Sequence, residues 1–396
     1  MRSFICALTL CAAGCGPSGS HGSVVHHNSD GGSAPLARDG GGLPPPIEGC
    51  IAANAPPDGD QDQDGYTPAQ GDCDDCNPSI NPGAIQIPGD STDYACNGMP
   101  GVIAACDTGL AGMRDAASLG KALDECDPRF FKSATLIGPS DARGRKVLAK
   151  FGVLTPRGGQ AMTLLSTGIA ADKSDPDFDS SVEEDPGTDF GAGDTYANPL
   201  PNLPGAAGCS QTQPATVNDY TELVVQLKAP TNANSFSFDF QFLSAEYPVW
   251  VCTEFNDEFL VLQESHAEFS SPSNIAFDMQ KHPITVNNGF FTVCTNDNTK
   301  PQTQHCARPV SDIGGTGFDD PPIPDPFDPA PPPDANIPGG STGWLTTTSP
   351  VTPGEEVTLH FIVFDEGDHV LDSAALIDHF RWGTSVVPTP STTPIQ

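Results

Sequence analysis

Phe236, Phe238, Phe240 and Phe242 alternate without a break in the stretch NSFSFDFQFLSAEY. Successive side chains of a strand point to opposite faces, so rings at period two predict one buried sheet face, with Ser237, Asp239 and Gln241 on the other. A helix cannot bring residues at that spacing to one side. The same alternation runs through VVQLKAP, DEFLVLQ, ITVNNGFFTV and EEVTLHFIVFDE, punctuated by Gly, Pro or Asn. Many short antiparallel strands without interleaved helices predict a mainly β fold, a jelly-roll-like β-sandwich over residues 107–383. One segment departs from it. GMRDAASLGKALDE (112–125) sets Met113, Ala116, Leu119, Ala122 and Leu123 near one face at helical spacing, which predicts a short amphipathic helix.

Ahead of the strands lies DGDQDQDGYTPAQGDCDDCNPSINPG, with Asp60, Asp62 and Asp64 alternating and Gly65 closing the run. Carboxylates two residues apart in a tight loop can turn inward together, which is what a hard cation such as Ca2+, taking six to eight oxygens, requires. An EF-hand is excluded. Counting from Asp60, Gly71 stands where the bidentate Glu belongs, and Pro68 stands at position nine. Residues 50–106 hold too few large apolar side chains for a core, so calcium and disulfides are expected to stabilise this small segment.

With 17 basic against 51 acidic side chains, the net charge of −34 excludes nucleic acid as a partner and argues against docking to anionic lipid through charge. The amino terminus, MRSFICALTLCAAGCGPSGS, has a short positive region, an apolar run and small residues before Cys15. It reads as a signal peptide over 1–14, too short to cross a bilayer. Ala-Ala-Gly-Cys resembles a bacterial lipobox, although Ala12 stands where that motif normally has Leu. The resemblance implies lipidation at Cys15. Residues 15–49 are rich in Gly, Ser, Pro and His and read as a flexible tether in which His21, His26 and His27 are solvated. Acidic and Pro-rich insertions are expected at 172–195 and 319–338, and a low-complexity tail at 384–396.

Setting aside Cys6, Cys11 and Cys15, ten cysteines remain, an even number that implies up to five disulfides in an oxidising compartment. Cys294 and Cys306 bracket a short polar loop and are expected to pair, and Cys209 with Cys252 is the next candidate. Cys73-Asp-Asp-Cys76 is not read as a zinc or redox site, because no second CxxC and no βαβ pattern accompanies it.

DxDxDGY at 60–66, GDCDD at 71–75, N-x-x-I-x-PGA at 77–84 and D-x-x-C-x-G at 93–98 resemble the thrombospondin type 3 calcium repeat and, more closely, a bacterial metal-binding motif family. That resemblance implies calcium ligands at Asp60, Asp62, Asp64, Asp72, Asp74 and Asp75, and a Cys73–Cys96 bridge. Cys76 departs from the pattern and would pair with Cys50 or Cys106. FGVLTPRGGQAMTLLSTGIA, SAEYP…FND, ITVNNGFF and the segment ending DEGDHVLDSAALIDHFRW resemble the choice-of-anchor L domain of exported bacterial proteins. Members of that family share a β-sandwich and differ in how they attach to the cell. Within it, Asp365, Asp368 and Asp372 are candidate calcium ligands at a strand end and the following loop. Glu246, Asn256 and Asp257 are expected to cap strand ends.

No GxSxG, HExxH, P-loop or GxGxxG occurs in a fitting context, and the histidines are scattered. The expected function is therefore non-catalytic: a calcium-binding cell-surface lipoprotein presenting a β-sandwich for adhesion or ligand binding. Its partner would be a surface ligand or envelope component, and its contact with the membrane would run through the lipid alone. The alternative is a secreted glycan-binding protein or hydrolase, for which Glu246 with Asp257 is the first carboxylate pair to test.

Overall fold

The computed structural model describes residues 42–103, 106–139, 141–178, 195–201, 203, 209, 213–265, 269–298, 300–321 and 337–395. The segment expected as a signal peptide (1–14), the lipidation candidate Cys15, His21, His26 and His27, most of the acidic insertion and most of the Pro-rich insertion lie outside these residues.

The described residues form strands β1 (Phe131–Ile137), β2 (Arg145–Leu148), β3 (Met162–Ser166), β4 (Tyr196–Ala197), β5 (Thr216–Lys228), β6 (Ser235–Ser244) and β7 (Glu258–Ser265). After these come β8 (Phe269–Asn274), β9 (Ile284–Thr285), β10 (Gly340–Ser341), β11 (Leu345–Pro350), β12 (Glu356–Asp365), β13 (Ser373–Gly383) and β14 (Ser391–Pro394). One sheet has the order β1-β5-β12-β7-β8, with β4 beside β5 and β9 beside β7. The other runs β14-β11-β6-β13-β3-β2, with β10 beside β6. Each of these pairings is antiparallel.

The phenylalanine alternation sets the core. Phe236, Phe238, Phe240 and Phe242 of β6 are buried against Leu223, Val225, Val261, Leu359 and Phe361 of the facing sheet. Phe238 meets Phe361 edge-on at 5.3 Å between ring centroids, and Phe240 meets Phe259 at 5.1 Å. The opposite face of β6 differs from a solvated one. Asp239 and Gln241 are each 1% exposed. Gln241 donates to Ser341 Oγ at 2.7 Å, while Thr346 and Arg381 donate to Asp239. Loops explain this burial, because Phe151, Ile313 and Phe318 pack over Leu164, Leu243 and Leu376 on that outer face.

The helix α1 is shorter than its sequence pattern, Ala116–Lys121. Asp115 caps it by accepting from Ser118 N, which starts the helix only there. Met113 lies outside it and is exposed, because Gly112 and Met113 pair through the main chain with Val147. Of ITVNNGFFTV, Ile284–Thr285 alone is strand; beyond it, Asn287 and Asn288 hold turns. The tail also departs from expectation. Thr392 and its neighbours pair with Leu345–Thr348, making β14 an edge strand of the sheet.

Five disulfides join Cys50 to Cys76, Cys73 to Cys96, Cys106 to Cys126, Cys209 to Cys252 and Cys294 to Cys306. The third crosses the expected boundary at residue 106, and residues 39–396 cluster as one unit. Among the described residues no helix is long and apolar enough to cross a membrane.

Candidate metal centres

The loop from Asp60 to Asp75 is a series of Asx turns. Asp62 Oδ1 accepts from Asp64 N, Asp64 Oδ1 from Tyr66 N, and Asp72 Oδ1 from Asp74 N. Asp60 Oδ2 accepts from Gly65 N at 3.1 Å. Gly65 turns the chain at φ +94°, where a side chain would be strained. The turns use one oxygen of each carboxylate. The others, Asp60 Oδ1, Asp62 Oδ2, Asp64 Oδ2 and Asp72 Oδ2, are buried and accept no hydrogen bond. The Asn81 amide lies alongside Asp64 without reaching hydrogen-bond geometry.

Ligand atoms of Asp60, Asp62 and Asp64 lie within 4.8 Å of one another, as do those of Asp62, Asp72 and Asp75. Asp74 belongs to neither group. Asp75 is held from behind, since Gln61 N and Gln61 Nε2 donate to its two oxygens at 2.9 and 3.2 Å. Burial, and then the Asp72 carboxylate, push Asp62 up to about 7. Burial pushes Asp64 up to about 7, and raises Asp72 as well. No lysine or arginine opposes these shifts, and repulsion between neighbours increases them. A bound divalent cation would reverse them, and the oxygen-only donor set suits Ca2+.

The motif is docked on the sandwich. Asn232 Nδ2 donates to Ile85 O at 3.0 Å and its Oδ1 accepts from Ile85 N at 2.9 Å. Thr231 N donates to Gly83 O, and Arg129 Nη1 to Pro82 O at 2.8 Å. The approach is close at Gly83, where a Cβ would stand 2.6 Å from Tyr66 Oη and 2.9 Å from Thr231 Cγ2.

A second group of carboxylates lies inside the sandwich. Asp257, Asp365 and Asp372 are at most 1% exposed, Glu246 is 2% exposed, and Asp219 is buried near Asp365; Glu258, buried too, faces the opposite side of β7 from Asp257. Of the three loop candidates, Asp365 and Asp372 enter this group. Asp368 stays half-buried at its rim and accepts from Val370 N in a turn. Asn256 caps as expected, taking Asn287 N at 3.2 Å. Glu246 and Asp257 do more than cap. Asp257 accepts from Ser373 Oγ at 2.6 Å and Glu366 N at 3.3 Å, and its own N–H donates to Glu246. Burial pushes Asp257 up to about 7, and burial followed by the Asp257 charge raises Glu246 and Asp365 well above the carboxylate range. The signal that could have exposed Asp257 is its phase, which is that of Phe259 and Val261.

Three histidines lie against buried carboxylates. His379 Nδ1 lies 3.0 Å from Asp239 Oδ2, His369 Nδ1 2.9 Å from Asp219, and His360 Nδ1 2.6 Å from Glu222. Burial would raise Asp239, but hydrogen bonds from His379, Arg381 and Thr346 hold it well below the usual range.

No curated protein and no solved structure matches the chain. The choice-of-anchor L domain family model matches residues 161–380, from β3 into β13, which is more than half of the 396 residues. A choice-of-anchor domain points to a cell-surface β-sandwich protein, and such domains are generally non-catalytic. Sheets, core and family match converge on one statement: the chain belongs to the choice-of-anchor L family.

Proposed function

We propose that the chain is a non-catalytic, calcium-binding surface protein that presents its sandwich for adhesion or ligand binding, held to the envelope by a lipid on Cys15. The observation that carries the calcium part is the set of buried oxygens on Asp60, Asp62, Asp64 and Asp72, each left over after its partner oxygen caps the main chain. Desolvated carboxylate oxygens without donors are costly, and a divalent cation offsets that cost. Asp75 completes the set, with Asp74 at its edge. Calorimetric titration of decalcified full chain, with metal analysis, tests the reading: heat and bound calcium support it, and neither appearing rejects it. The lipid is tested by mass analysis of the mature protein against Cys15→Ser.

A glycan-binding reading has one observation in its favour. Trp344 lines an open groove with Arg157 and Arg308, an aromatic platform beside donors. A glycan array on wild type and Trp344→Ala decides it. For hydrolysis, Glu246 and Asp257 are buried away from any substrate, and turnover abolished by Glu246→Gln would be needed to revive that role.

A further inference from the structure

We propose that the sandwich holds a divalent-cation centre of its own, bound by Asp365, Asp257 and Glu246 with Asp372 beside them, where strand ends of both sheets meet. It is independent of the Asp60–Asp75 loop. Asp365 ends β12 and Asp257 immediately precedes β7; Phe364 and Glu258 are paired across these strands. Glu246 follows β6 and Asp372 precedes β13, and Ser244 pairs with Ser373 between those two. The carboxylates therefore come from adjacent strand ends of two facing sheets, with Asp257 next to both Glu246 and Asp365, though more widely spaced than the mutually close oxygens of the Asp60–Asp75 loop.

Their phase is the first argument. Along β12, Phe361 and Val363 face the core, and Asp365 is next in that register. Along β7, Phe259 and Val261 face the core, and Asp257 precedes them in the same register. Acidic groups thus occupy positions that the fold otherwise fills with Phe and Val.

The second argument is Asp365 itself. It is 1% exposed, and neither of its oxygens receives an N–H or O–H donor. The neighbour it faces is another carboxylate, Asp257, close enough to share a proton. An unpartnered buried carboxylate aimed at further carboxylates requires a positive charge or a proton between them. His369 is committed to Asp219 at 2.9 Å. Asp372 rests on Gly168 just after β3, where a Cβ would come 1.7 Å from its Oδ2, so the bend there admits the carboxylate. Oxygen donors from separate chain segments, without nitrogen or sulfur, fit a hard cation such as Ca2+. The rival arrangement is an acid pair sharing protons, with no ion.

The test counts calcium ions bound by the full chain, by calorimetry and metal analysis, in four proteins: wild type, Asp365→Asn, Glu246→Gln, and Asp62→Asn with Asp72→Asn. The expected result is one equivalent lost in Asp365→Asn, the same loss or weakened binding in Glu246→Gln, and one equivalent or more retained when the loop is disabled. Should Asp365→Asn fail to fold, Glu246→Gln and the loop variant still decide. Calcium at about 100 times its Kd should raise the melting temperature of the loop variant by roughly 5 °C over chelator. Wild-type stoichiometry in both sandwich variants, or no binding and no thermal shift in the loop variant, overturns the proposal and leaves the acid pair. Loss confined to the loop variant would spare the loop reading, and loss confined to the sandwich variants would spare this one.

Discussion

Thr231 donates its hydroxyl to Asn81 Oδ1 at 2.7 Å, joining the acidic motif to the turn between β5 and β6. Asn81 is fully buried and accepts from Gly83 N through the same oxygen. One amide thus shapes the Pro-Gly-Ala turn and anchors it. The motif, expected as a small segment ahead of the sandwich, packs onto it through these contacts.

Asn232→Ala removes both hydrogen bonds to Ile85 and should release this contact. Each buried partner lost costs about 1–3 kcal/mol. Amide exchange around residues 81–87 should accelerate tenfold or more while core amides of β5 and β12 keep their protection. Hydrogen exchange read by mass spectrometry checks it, and equal protection at 81–87 in both proteins would count against the docking argument.

Asp62→Asn with Asp72→Asn should change the sign of its effect with the solution. In chelator the variant should melt above wild type, because two mutually repelling buried charges are gone. In excess calcium it should melt below wild type, since ion binding to the native state is worth about 2.7 kcal/mol at 100 times Kd. Paired thermal melts reveal the crossing; the same order in both solutions would contradict it.

Glu125 supplies a pH dependence remote from both centres. Its Oε2 accepts from Trp382 Nε1 at 2.7 Å and its Oε1 from Asp127 N at 2.9 Å, and burial pushes its pKa up to about 7 from 4.5. The raised value means the native state keeps a proton that the unfolded chain releases. The contribution is full below about pH 4.5 and is lost as pH rises through about 7, on the order of 3 kcal/mol. Glu125→Gln should flatten that part of the decline. Denaturant melts at pH 5 and pH 8 compare the two, and parallel declines would refute the assignment.

Phe361→Ala should cost about 3–5 kcal/mol, because the ring is fully buried and meets Phe238 across the sandwich. Ile137→Ala, at an exposed site on β1, should change stability by less than about 1 kcal/mol. Chemical denaturation measures both, and similar losses at the two sites would contradict the core assignment.

Period two in β6 and β12 made the sandwich legible, because burial of one face is written directly into neighbouring residues. The turns of the Asp60–Asp75 loop were legible for a similar reason, as each aspartate caps a main-chain N–H close to it in sequence. The sandwich carboxylates were legible only in part: Asp365 and Asp372 stood out in their loop and Glu246 with Asp257 as a pair, but nothing local tied the two sets together. Glu246, Asp257, Asp365 and Asp372 are separated by up to 126 residues, the difference between 372 and 246, and meet only when strands pair. The tail carries too little apolar pattern to read as strand, and β11 supplies the hydrogen bonds that make it one. The burial of Asp239 and Gln241 was not legible, because no local pattern reveals the loops that cover them.

Cys50 and Cys76 close a covalent ring around Asp60, Asp62, Asp64, Asp72 and Asp75. A mechanical pull on residues ahead of Cys50 would pass through the sulfurs to Cys76 and on to the Ile85–Asn232 clamp, bypassing the slack chain between. The carboxylates therefore sit off the line of tension, and strain on the chain would reach the Ile85–Asn232 clamp without passing through them.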